Sequence, residues 1–115
     1  MKHRFGNKKL SKPTDQRLAL IKNLVVSLFE NNSIKTTYTR AKEAQKYAER
    51  LLTLASVDSV HNKRLIMKKI NNKETLKKVY ELKKSSTRKS GFTRTIRCGL
   101  RNGDSAEMSI LEFVN

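Results

Sequence analysis

Apolar residues recur along the chain in two rhythms. Ile21, Leu24, Val25, Leu28 and Phe29 fall three and four apart, the spacing of one buried face of an amphipathic helix. Ala41, Ala44, Ala48, Leu51, Leu52 and Ala55 repeat that spacing. Val60, Ile66, Met67 and Ile70, then Leu76, Val79, Tyr80 and Leu82, mark two shorter helices with those residues inward. Near the end the rhythm changes to alternation. The Thr- and Ile-rich run from Phe92 to Cys98 and the run from Met108 to Val114 read as strands. A third strand is short: Ser33-Ile34-Lys35-Thr36-Thr37, where β-branched threonines favour extended backbone, leads straight into the second helix.

The residues between these segments punctuate them. Pro13-Thr14-Asp15 opens the first helix, with Thr14 as candidate cap and Asp15 at the positive end of the helix dipole. Asn31-Asn32 closes it, because Asn tolerates the left-handed conformation of a helix stop. Thr39 is the candidate cap of the second helix, which runs to about Ser56. Asp58 or Ser59 caps the third, and Asn71-Asn72 separates it from a fourth over Lys73 to Lys84. Gly99 to Asp104 supplies a turn around Asn102-Gly103, a strong hairpin signal. The order is helix, strand, three helices, two strands. It predicts an α+β fold in two layers, four helices packed on a small three-stranded mixed sheet.

Charge changes the picture from a generic small domain to an anion binder. The chain has 26 Lys and Arg against 10 Asp and Glu, a formal net charge of +16 over 115 residues. Self-repulsion at that charge opposes a compact free state, so an anionic partner would support the fold. The basic residues are unevenly placed. Residues 1–12 contain Lys2, Arg4, Lys8, Lys9 and Lys12 and no acid, and read as an arm that neutralises phosphates ahead of a single domain over 13–115. Phe5 within it suits either base stacking or a contact with the protein itself. Lys42, Lys46 and Arg50 stand four apart on one face of the second helix, where like charges repel unless an anion lies along them. The fourth helix is basic too, but lysines on the wet side of a helix are ordinarily just solvated. Residues 104–115 carry Asp104, Glu107 and Glu112 and no base, so the last strand is expected to face solvent or a basic protein neighbour.

Chemistry of other kinds lacks its parts. Cys98, in an apolar alternation, reads as a small buried hydrophobe. A single cysteine permits no internal disulfide or multi-cysteine zinc site. His3 and His61 without clustered carboxylates form neither a metal site nor an acid–base pair, so catalytic residues, metal and cofactor are all expected to be none. No apolar run approaches the length of a membrane span, and no apolar signal core stands at the N-terminus, which points to the cytoplasm and away from membranes. No helix-turn-helix module is evident. Scattered cations on several elements plus an arm suit RNA of irregular shape, with a DNA-binding nucleoid-associated protein as the alternative and a nuclease as a third reading.

Several stretches together resemble one family. These are Met-Lys-His-Arg at the start, Leu10 with Thr14-Asp15-Gln16-Arg17-Leu18-Ala19-Leu20, and Ile34-Lys35-Thr36-Thr37 with Arg40-Ala41-Lys42-Glu43. They continue with Leu51-Leu52-Thr53-Leu54-Ala55, Gly91-Phe92-Thr93-Arg94 and Arg101-Asn102-Gly103-Asp104-Ser105-Ala106. In this order they resemble the bacterial large-subunit ribosomal protein L-seventeen family over nearly the whole chain. Two positions depart from its pattern. Lys12-Pro13 replaces an Arg and a small polar residue, and Glu107 replaces a Pro, which trades a forked phosphate donor for a point charge at position 12.

The resemblance implies a structural component of the large ribosomal subunit bound to 23S-type rRNA near the polypeptide exit region. It also implies ribosomal protein neighbours, including one of the L-thirty-two family, and no small-molecule substrate. The residues expected on RNA are Lys2, His3, Arg4, Lys8, Lys9 and Lys12 of the arm; Arg17, Lys35, Arg40, Lys42 and Lys46; and Arg94 and Arg101 on the C-terminal hairpin.

Overall fold

The computed structural model describes residues 12–114. The elements follow as α1 (Thr14–Asn31), β1 (Ser33–Thr37), α2 (Tyr38–Leu54), α3 (Val60–Ile70), α4 (Lys73–Ser85), β2 (Thr93–Leu100) and β3 (Glu107–Phe113). The α+β class and the element order match the expectation. The sheet, expected to be mixed, is antiparallel throughout in the order β1-β3-β2. β1 enters alongside β3, and β3 returns from β2 by a hairpin, so no parallel crossover arises.

Alternation divides the sheet into two faces. Thr36, Thr93, Ser109 and Leu111 are buried on one, against the helices, while Ser33, Lys35, Arg94 and Ile96 are exposed on the other. α2 lies against all three strands, and α1 packs on α2, α4 and β1. Ala41, Ala44 and Ala48 are fully buried along α2, and their small side chains let the helix sit close to its neighbours. The core joins them to Val25, Leu28 and Phe29 of α1, Leu51 and Leu52 of α2, Ile66 and Ile70 of α3, Val79 of α4, and Phe92 and Leu111. Phe29 and Phe113 close one end with ring centres 5.1 Å apart.

Polar residues fix how α2 crosses the strands. The Glu49 carboxylate accepts from the backbone N–H of Phe92 (3.1 Å) and Thr93 (2.8 Å) and from the Thr93 hydroxyl (2.6 Å). One turn earlier, Gln45 donates to the Thr93 carbonyl and accepts from the Thr95 hydroxyl. Spaced four apart on α2, these side chains meet alternate residues of an edge strand.

Several local expectations need correction. Thr14 is the first helical residue of α1, not its cap; Pro13 holds the cap position without a side-chain bond. α2 begins at Tyr38, so Thr39 lies inside the helix and Thr37 occupies the cap, again without a side-chain bond. Ser59 does cap α3, accepting from Asn62 N–H, and Asn72 caps α4 through Glu74 and Thr75 N–H. Asn32 and Asn71 take the left-handed conformation that stops α1 and α3. Val60 is 63% exposed rather than inward, because it stands in the first turn of α3, beyond the core's reach. Cys98 is exposed, not buried. Cys98 follows Arg94 and Ile96 on the open face of the edge strand β2, whose helix-facing residues are Thr93 and Thr95. The final hairpin is closed by Arg101 N–H to the Ala106 carbonyl, so its loop is longer than a two-residue Asn-Gly turn.

Candidate nucleic-acid interface

Charge is paired on the C-terminal hairpin and left open at the β1–α2 junction beside it. On the C-terminal hairpin each acid of β3 or its loop meets an arginine. Arg94 forks onto Glu112 (2.8 Å and 3.2 Å), Arg97 lies 3.8 Å from Glu107, and Arg101 forks onto Asp104. The Arg101 guanidinium, with the Ala106 N–H, holds the Asp104 carboxyl down at about 2. Antiparallel pairing places Arg94 directly opposite Glu112. The acidic C-terminal segment therefore finds its basic neighbour within the same sheet. Arg94 and Arg101, both expected on RNA, are engaged with these carboxylates.

The β1–α2 junction is arranged differently. Lys35 is exposed on the open face of the sheet, Arg40 is half-buried and Lys42 exposed, and no carboxylate pairs with any of them among the described residues. The first turn of α2 contains no acid and its cap residue makes no side-chain bond. Its free N–H groups and positive dipole end thus add to Arg40 and Lys42, an arrangement suited to a phosphate oxygen. Arg40 and Lys42 are two residues apart, so they leave opposite flanks of the helix and could hold separate phosphates.

Beside them stands a cluster that the sequence did not reveal. The Arg97 guanidinium lies 4.4 Å from the centre of the Tyr38 ring, and Lys42 Nζ lies 5.6 Å from the same centre. Contact with Arg97, and then the charge of Lys42, lowers the Tyr38 hydroxyl below its ordinary pKa of 10.0. Arg97 comes from a strand 59 positions later in the chain (97 minus 38), a pairing that local periodicity does not encode.

The basic row on α2 is only partly open. Lys46 bonds the buried Glu43 carboxylate at 2.8 Å, which relieves repulsion along the row; Arg50 remains exposed. Lys46 and Arg50 join Arg17 of α1 and Lys69 of α3 around a groove of about 320 Å³, whose remaining walls are Leu18, Ile21, Glu43 and Tyr47. Arg17 and Lys46 were expected at such a surface; Lys69, on a helix with no recognisable signal, was not. Lys12 is half-buried where the chain enters α1. Lys2, His3, Arg4, Lys8 and Lys9 lie outside the described residues. Among those described, no three His, Cys, Asp or Glu side chains are grouped to hold a metal ion, and no helix is long and apolar enough to cross a membrane.

Comparison with known proteins yields a consistent set. Over residues 20–114 the chain matches the family model described as Ribosomal protein L17. It is 46% identical to the large ribosomal subunit protein bL17 of Dictyoglomus thermophilum, covering 99% of this chain and 100% of that one. The bL17 protein of Myxococcus xanthus is 42% identical, over 100% of this chain and 84% of the relative. That of Borreliella burgdorferi is 44% identical, over 99% and 94%. With similarity extending from one end of the chain to the other, and with the matched region containing every strand and three whole helices, this protein belongs to the Ribosomal protein L17 family.

Proposed function

We propose that this protein is a structural constituent of the large ribosomal subunit that binds folded 23S-type rRNA near the polypeptide exit region, without catalytic turnover. Family membership supports the ribosomal role and, with it, a cytoplasmic place on the ribosome. The residues proposed on rRNA are the arm, with Lys2, His3, Arg4, Lys8, Lys9 and Lys12, and then Arg17, Lys35, Arg40, Lys42 and Lys46. Residues 13–115 act as the single domain that holds them. A ribosomal protein of the L-thirty-two family is the proposed neighbour.

The observation that carries this reading is the asymmetry of charge pairing. The arginines of the C-terminal hairpin are matched to carboxylates, whereas Lys35, Arg40, Lys42 and Arg50 have no such partner among the described residues. Cations without a carboxylate partner release counterions when phosphates replace water around them. Arg94 and Arg101 have to give up an existing bond first, so their part is the smaller.

The test is a salt titration of binding to large-subunit rRNA. The double variant Arg40→Ala/Lys42→Ala should bind more weakly and lower the slope of log affinity against log salt by about 2, one for each lost phosphate contact. An unchanged slope removes both residues from the interface. Duplex DNA at the same salt serves as competitor, and equal affinity for DNA would favour a nucleoid-associated protein instead.

A further inference from the structure

The groove between α1, α2 and α3 gathers cations from three helices around an apolar lining of Leu18, Ile21 and Tyr47. We propose that it seats one unpaired nucleotide of the bound RNA, with the base on Leu18, Ile21 and Tyr47 and the flanking phosphates on Arg17, Arg50 and Lys69. The proposal rests on the RNA-binding reading above and assigns it a second contact, distinct from the β1–α2 junction.

Size, charge and lining each bear on it. A volume of about 320 Å³ lies within the range of small-ligand sites and suits one nucleotide better than a helical stack. Four cations surround the space, against one acid, Glu43, which is buried and bonded to Lys46. No carboxylate pairs with Arg17, Arg50 or Lys69 among the described residues. Three cations from three helices therefore converge with no counter-charge of their own, and their mutual repulsion falls when phosphate enters. Leu18 is 51% exposed in the midst of these charges. A single exposed leucine is unremarkable. One that lines a cationic groove offers a base the apolar contact that water does not.

The aromatic wall is held in place. Tyr47 donates its hydroxyl proton to the Lys69 carbonyl at 3.0 Å, and Lys69 Nζ stands 5.5 Å from the ring centre. The ring is thereby fixed and Lys69 is kept at the rim. RNA is well matched to such a seat, since its loops and bulges present splayed bases that proteins hold by stacking and apolar contact. A duplex keeps its bases inside and could use only the rim cations.

Two RNAs separate these possibilities: a fluorescent oligouridylate and an RNA duplex of equal length, titrated with the full-length protein. Leu18→Asn keeps the branched outline and the neutral charge while making the side chain polar at an exposed position. It should weaken the single strand about fivefold or more and leave the duplex within about twofold. Arg50→Ala/Lys69→Ala should lower the salt slope for the single strand by about 2. If Leu18→Asn affects both RNAs equally or neither, no nucleotide sits in the groove. If Arg40→Ala/Lys42→Ala weakens both RNAs while the groove variants change neither, the interface reading stands and the groove proposal is overturned. If neither set alters binding, both are overturned.

Discussion

Glu49 shows how much a single side chain can hold together. Its carboxylate takes three donors at the start of β2, two of them backbone N–H groups at the edge of the sheet. Glu49→Ala should destabilise the fold by about 2–3 kcal/mol, read as a lower urea midpoint at unchanged slope. Glu49→Gln keeps the shape but turns one acceptor into a donor facing another donor, so it should restore only part of the loss. None of this was legible beforehand. Glu49 lies on a helix among other charges, and its partners are 43 and 44 positions away. Cys98 illustrates the reverse error. Alternation with Phe92 and Ile96 placed it inside, but the strand turns its threonines, Thr93 and Thr95, to the helices, where Glu49 and Gln45 meet them, so the more apolar set faces out.

At the scale of elements the sequence was far more informative, because periodicity is a local property. Every residue of the apolar stripe from Ala41 to Ala55 is buried, and the four helices occur in their expected places. Boundaries followed wherever a side chain makes the cap. Asn71 and Asn72 divide the labour between α3 and α4, the first taking a left-handed φ of 48° and the second accepting from two N–H groups of the next helix. Asn72→Ala should cost about 1 kcal/mol, with faster amide exchange confined to the first turn of α4. A global loss of protection would mean that the cap supports more than its own helix. The misplaced caps, Thr14 and Thr39, belong to helices that begin without a side-chain bond, where there is no cap signal to read. Sheet direction was equally hidden, since strand length says nothing about which neighbour a strand finds.

For the molecule as a whole, charge governs behaviour outside the core. With a net +16, adding salt should raise the thermal midpoint by screening self-repulsion. Bound RNA should raise it further. At a free concentration a hundred times Kd the gain is about 2.7 kcal/mol, measurable as a rising midpoint with added rRNA fragment. A midpoint indifferent to both salt and RNA would contradict the view that the folded state accommodates unmatched cations for a polyanion. The anionic class of the partner was legible from composition alone. The open groove and the Tyr38–Arg97 contact were not, because each draws on segments brought together only by the tertiary fold.

The position of β3 bears on how the protein comes into being. β1 and β2 touch only through it, and it is translated after both. A nascent polypeptide can bring its four helices together early, but the two outer strands have no mutual partner until Leu111, a wholly buried residue, has left the tunnel. Completion of the sheet thus waits on synthesis of its middle member, and a message truncated before that codon yields a product without a closed core.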